Sequence, residues 1–220
     1  MKKSKPKEKK QETAKTREQQ EISDSDKELM SLLGPGRAID LRIQRTFEEK
    51  PESFVALFVE KPEEYSLVNA HLVDFFCKKN VPGIYVSLNK PLDSLILFLK
   101  KQGIEYKNVF FVDAVTKMTS GNLLKGANFC YIDSPKSLID LSVAIESFIQ
   151  KIPAEKRFIL IDSLSTLLVY NRASAVEKFV HSVSGKMRAW KVQGVFAIVK
   201  NVQEEFAKTV AQFCDETIEI

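Results

Sequence analysis

The sequence predicts an α/β fold: a doubly wound, mostly parallel sheet with helices on both faces. Three observations carry this. Short apolar runs recur along the chain, such as Phe54-Val55-Ala56-Leu57-Phe58-Val59 and Phe158-Ile159-Leu160-Ile161, and continuous rather than alternating apolar character marks strands buried on both faces. Segments with helical apolar periodicity separate them. The spacings are too long for hairpins, so successive strands need right-handed crossovers and lie parallel.

Residues 1–25 hold Lys, Glu, Gln and Ser with almost no apolar side chains. Such a segment cannot bury enough surface to offset its ordering entropy, which predicts a disordered basic tail. Within residues 1–20, eight Lys or Arg face three Glu, which more than accounts for the formal charge of +4. Residues 26–50 are predicted as a short helix and an edge strand. Asp24-Ser25-Asp26 caps a helix carrying Leu29, Met30, Leu32 and Leu33, Gly34-Pro35-Gly36 terminates it, and Ile39, Leu41 and Ile43 then alternate with polar residues.

The core domain follows over residues 51–220. Its first strand is residues 54–59, after which Pro62, Glu63 and Glu64 suit the opening turn of a helix bearing Val68, Leu72, Phe75 and Phe76. Strands at 84–88, 109–113 and 129–132 come next, with a helix carrying Leu92, Leu95, Ile96 and Leu99 after the first and a polar loop at 114–128. A helix with Leu138, Leu141, Ile145 and Phe148 leads to the strand at 158–162. Beyond it lie a helix with Val176, Phe179, Val180, Val183, Met187 and Trp190, a strand at 195–199, a helix with Phe206, Val210 and Phe213, and a terminal strand at 217–220.

Composition excludes several classes. At 44% apolar and 28% charged the chain is globular, and no run approaches the ~18 apolar residues of a membrane span. Cys77, Cys130 and Cys214 lie far apart without CxxC spacing, as expected of free thiols in a reducing cytoplasm. The Lys-rich start has no apolar stretch behind it and does not read as a secretory signal. His71 and His181 are the two histidines, too few to support a metal site, and there is no GxSxG nucleophile elbow.

The strings Tyr85-Val86-Ser87-Leu88, Ile161-Asp162-Ser163-Leu164 and Lys186-Met187-Arg188-Ala189-Trp190 leading to Gly194 occur in that order. In order and spacing, from Phe54 to Ile220, they resemble the RecA superfamily, most closely its archaeal KaiC-like and RadA-like ATPases. The resemblance implies a RecA-like P-loop NTPase fold and pairing with itself or with a RecA/KaiC-like paralogue. It makes Asp162, with Ser163, the Walker B position, at the carboxyl end of a buried strand where open parallel sheets take their ligands.

In that family the first strand runs into a phosphate loop, GxxxxGK[ST]. Laid on this chain without a gap, the four demanded positions become Glu60, Tyr65, Ser66 and Leu67, with Lys61, Glu63 and Glu64 between them. None of the four fits. Glu60, Glu63 and Glu64 place carboxylates where an anion should lie, and like charges ~4 Å apart repel by about 4 kcal/mol at a protein surface. Where KaiC-like proteins put a glutamate pair, one of which activates water, this chain has Asn89 and Lys90, and neither accepts that proton.

The resemblance therefore implies a degenerate, non-catalytic member acting as a regulatory or assembly module, with no cofactor expected. Weak binding or slow hydrolysis of ATP with magnesium is the alternative. A DNA-recombination accessory protein is another, with salt-sensitive nucleic-acid contact through Lys5, Lys7, Lys9 and Lys10; the loops expected at 163–172 and 200–205 are not strongly basic. Two finer expectations follow: Asp162 bonds Ser163 or neighbouring backbone N–H groups, and Glu63 or Glu64 folds over the start of the next helix as a phosphate mimic.

Overall fold

The computed structural model describes residues 34–200 and 204–220. Helix α1, Pro35–Phe47, opens the described chain, with Gly34 as N-cap and Pro35 in the first turn, a position where the missing proline N–H has no helical partner to lose. The expected edge strand at Ile39, Leu41 and Ile43 is thus a helix, and Gly34-Pro35-Gly36 starts an element here. Ile39, Ile43 and Phe47 recur every four residues and are the buried apolar face. A five-residue alternation is too short to outweigh that longer spacing. The helix expected around residues 29–33 lies outside the described residues.

Strand β1, Val55–Glu60, leads to α2, Tyr65–Lys78; β2, Gly83–Ser87, leads to α3, Leu92–Lys101. Strands β3, Val109–Asp113, and β4, Phe129–Tyr131, precede α4, Leu138–Lys151. Strand β5, Phe158–Asp162, runs into α5, Leu164–Tyr170, and α6, Ala173–Ala189. Strand β6, Gln193–Val199, helix α7, Glu204–Ala211, and strand β7, Glu216–Glu219, complete the chain. The loop expected at 163–172 is largely α5, because Leu164 and Leu167 bury against the sheet and carry the backbone into a helical turn.

Seven strands make one sheet in the order β4-β3-β2-β5-β6-β1-β7, and every neighbouring pair is parallel. The fold is a doubly wound α/β sheet. Alternate residues of each strand feed two cores. One packs Val55, Leu57, Ile84, Val86, Ile159 and Ile161 against α4, α5, α6 and α7; the other packs Ala56, Phe58, Tyr85, Phe158 and Leu160 against α1, α2 and α3. At about 25 cal/mol per Å² of apolar surface, these two buried layers supply the dominant stabilisation.

The chain leaves β2 toward β3 and leaves β5 in the opposite direction, toward β6. That reversal falls at the carboxyl ends of β2 and β5, where doubly wound sheets place ligands. Ser87 and Asp162 are paired across it.

Candidate functional site

Three polar side chains from separate strands meet under α2. Glu60 ends β1, Asp162 ends β5, and Tyr85 lies two residues before the end of β2. By strand alternation all three share the face with Phe58, Leu160 and Phe158, the face that α2 covers. The Tyr85 hydroxyl donates to Asp162 Oδ2. Among the described residues, Asp162 Oδ1 and both carboxylate oxygens of Glu60 are buried with no hydrogen-bond partner.

Burial raises the Asp162 carboxyl to about 8. It also holds Glu60 well above the ordinary carboxyl range, with neighbouring Asp162 adding to the effect. Desolvation disfavours the charged carboxylate, so burial shifts both groups toward the neutral acid. The Tyr85 phenol is likewise raised, by burial first and by Glu60 second.

Helix α2 adds two more buried polar groups without partners among the described residues, the Tyr65 hydroxyl and the Asn69 amide. Phe76, on the same helix, stacks on Phe158 at the start of β5, ring centroids 4.4 Å apart. Asn69 is seven residues earlier, nearly two turns, so it points the same way about 10 Å along the axis.

Asp113, at the end of β3, shows what a capping carboxylate looks like in this fold. It is buried and accepts from the backbone N–H groups of Leu92 at 2.8 Å, Val115 at 2.6 Å and Thr116 at 2.9 Å, and from the Thr116 hydroxyl. The backbone bonding expected at Asp162 is found at Asp113 instead. Among the described residues the Asp162 side chain takes one donor, from Tyr85; the peptide between Asp162 and Ser163 is cis. Ser163 Oγ lies 3.5 Å from Thr166 Oγ1.

The expected phosphate-loop residues part company. Lys61 and Glu63 are exposed and Leu67 is half-buried. Glu64 is the N-cap of α2 but makes no side-chain cap bond; its carboxylate faces Lys61 Nζ at 3.5 Å. Glu63 and Glu64 therefore do not form the phosphate mimic, since neither turns its carboxylate onto the helix N–H groups. Glu60 does not face outward as the repulsion expected of it requires: its side chain is buried beneath α2, and burial raises its carboxyl well above the ordinary range.

At the lost-base position Asn89 is exposed. Lys90 instead crosses to the first turn of α2, where its Nζ donates to Ser66 Oγ at 2.6 Å and lies 5.1 Å from the centre of the Phe98 ring. The Ser87 hydroxyl donates to the Lys90 carbonyl at 2.6 Å and shapes this loop. Partial burial lowers the Lys90 amine below its ordinary range. A cation is thus present beside position 66, supplied through space from the β2–α3 loop.

Sequence reasoning missed Tyr85, Asn69 and the reach of Lys90. The signal for Asn69 was an amide in the sheet-facing stripe of Val68, Leu72 and Phe76; Lys90 carried none, because only the fold brings it to Ser66. Lys5, Lys7, Lys9 and Lys10 lie outside the described residues. Among the described residues no three His, Cys, Asp or Glu side chains group as metal ligands, and no helix is long and apolar enough to cross a membrane.

A family model described as a family of unknown function, DUF7504, matches residues 109–220, from the first residue of β3 to the end of the chain and just over half of it. The chain belongs to this family. The DUF7504 region includes Asp162, α4 and α5, whereas Glu60, Tyr65, Asn69, Tyr85 and Lys90 precede it. A search of curated proteins found no match.

Proposed function

We propose that this DUF7504 protein is a cytoplasmic, non-catalytic relative of the KaiC-like and RadA-like ATPases, whose nucleotide-handling architecture serves as a regulatory or assembly module. One observation carries the reading. The space beneath the start of α2 is occupied by the chain's own acids, Glu60 and Asp162, buried and in part unbonded. ATP with magnesium does not fit these residues. A phosphate cradle needs glycines that admit close backbone approach and donors free to turn toward oxygen, and here Tyr65 is buried at a glycine position while the Lys90 ammonium is engaged by Ser66. A magnesium-associated carboxylate needs to be ionised, and burial opposes this at Asp162 by raising its carboxyl to about 8.

The second reading, weak ATP binding, is favoured by the placement of Lys90 at the first turn of α2, where an ammonium and helix N–H groups point the same way. Melting the protein with and without millimolar ATP and magnesium distinguishes the two. The module reading expects the same midpoint in both. A rise in midpoint that disappears in Asp162→Ala and in Lys90→Met establishes the second reading, because ligand bound only to the native state stabilises it.

A further inference from the structure

A cavity of about 370 Å³ is lined by the turns that enter β1, β2, β5 and β6. It therefore lies at the amino end of the sheet, the opposite end from Glu60 and Asp162, and its size is within the ~300–1,000 Å³ of small-ligand sites. Phe47, Phe75, Phe76 and Val81 form its apolar part. Phe47 and Phe76 are buried with ring centres 5.1 Å apart, so packing fixes this wall.

Two charged walls flank the rings. Glu48, Glu49 and Glu52 stand on the turn entering β1, and Lys156 and Arg157 on the turn entering β5. Lys79, after α2, adds a cation on the approach to β2. Strand β6 lies between β1 and β5, so two strand spacings, about 10 Å, separate the acidic turn from the basic one.

These charges are not spent on one another. Among the described residues the side chains of Glu48, Glu49, Glu52 and Lys156 make no hydrogen bond or ion pair, and Lys79 Nζ rests 4.6 Å from the centre of the Phe75 ring. Arg157 gives its Nη groups to the carbonyls of Ile149 at 3.3 Å and Trp190 at 2.6 Å, while its buried Nε has no partner among the described residues. Glu49 follows the C-cap of α1 and holds φ 60°, left-handed backbone where glycine is cheaper. A side chain kept at such a cost on a cavity wall points to a ligand.

The spacing selects that ligand: a flat apolar body with donors at one end and an anion about 10 Å away. An amino acid carries its ammonium and carboxylate on one carbon and cannot reach both walls. A nucleotide can. Guanine presents N1–H and an exocyclic amine side by side, matching the two oxygens of one carboxylate, whereas adenine sets a ring acceptor beside its amine and uracil has an oxygen in that place. A single phosphate, with about two negative charges, matches two lysines. We propose that this cavity binds a free guanine nucleotide with one phosphate, its base against the phenylalanine rings, its donor edge on Glu49 and its phosphate at Lys79, Lys156 and the Arg157 Nε–H.

The test is calorimetric titration of full-length protein with GMP. A Kd below about 1 mM is expected, with AMP and UMP at least about tenfold weaker. Lys79→Met/Lys156→Met removes the phosphate end and Glu49→Gly the base end, and each should weaken GMP at least about tenfold. Glu49→Gly should also raise the melting midpoint of the free protein, because glycine relieves the left-handed backbone; lost binding is then not lost folding. Lys100→Met/Lys101→Met, exposed at the end of α3, should bind as wild type. No binding of GMP at about 1 mM, equal affinity for GMP, AMP and UMP, unchanged affinity in Glu49→Gly, or a loss in the Lys100/Lys101 variant overturns the proposal. A single-stranded oligonucleotide with internal guanines that binds more tightly than GMP overturns it too, since nucleic acid is then the ligand. Because adenine is disfavoured in this cavity, melting with ATP and magnesium reports separately on the site beneath α2.

Discussion

Glu60 and Asp162 end strands separated only by β6, and each is too deeply buried to ionise cheaply. An acid whose native pKa lies above its unfolded value gives stability that is complete below the unfolded value and is lost as pH rises toward the native one. For Asp162 the window runs from 3.8 to about 8, and Glu60 acts in the same direction. Urea unfolding should therefore show wild type losing stability relative to Asp162→Asn across this window, by up to about 1.4 kcal/mol per pH unit. A difference between the two proteins that does not change with pH would mean that Asp162 is ionised in the native state. The residue-level surprise is Asp162 itself. Its place at a strand end was legible in Ile161-Asp162-Ser163, but its environment was not, because Tyr85 bonds it from a different strand.

At the level of elements, the strands were readable because continuous apolar runs leave few alternatives. The helices at Pro35–Phe47 and Leu164–Tyr170 were not. In the first, two periodicities overlap over a few residues; in the second, Ser163-Leu164-Ser165-Thr166 looks like loop chemistry until Leu164 and Leu167 bury. Pairing of β2 with β5 depends on Gly83, where an added Cβ would overlap the ring and carbonyl of Phe158. Phe158 cannot yield, because Phe76 stacks on its ring. Gly83→Ala should cost at least about 3 kcal/mol of unfolding free energy, at the upper end for overpacking; a loss below about 1 kcal/mol would show that the two strands separate without penalty.

For the molecule as a whole, the reversal between β2 and β5 is where a ligand belongs in this architecture, and Tyr85 and Asp162 bond each other beside it. A concavity of about 370 Å³ lies at the opposite end of the sheet, among Phe47, Phe75, Lys79, Lys156 and Arg157. The resemblance to nucleotide-handling proteins drew attention to Glu60 and Asp162, but a linear comparison cannot show that the Glu60 side chain is buried. The most direct measurement of the central claim is carbon-13 NMR of the Glu60 and Asp162 side-chain carboxyls as pH is raised, with and without ATP and magnesium. The account predicts that both remain protonated at pH 7 and that neither resonance responds to nucleotide. Both carboxyls ionised at pH 7, with Asp162 shifting on addition of ATP and magnesium, would contradict it.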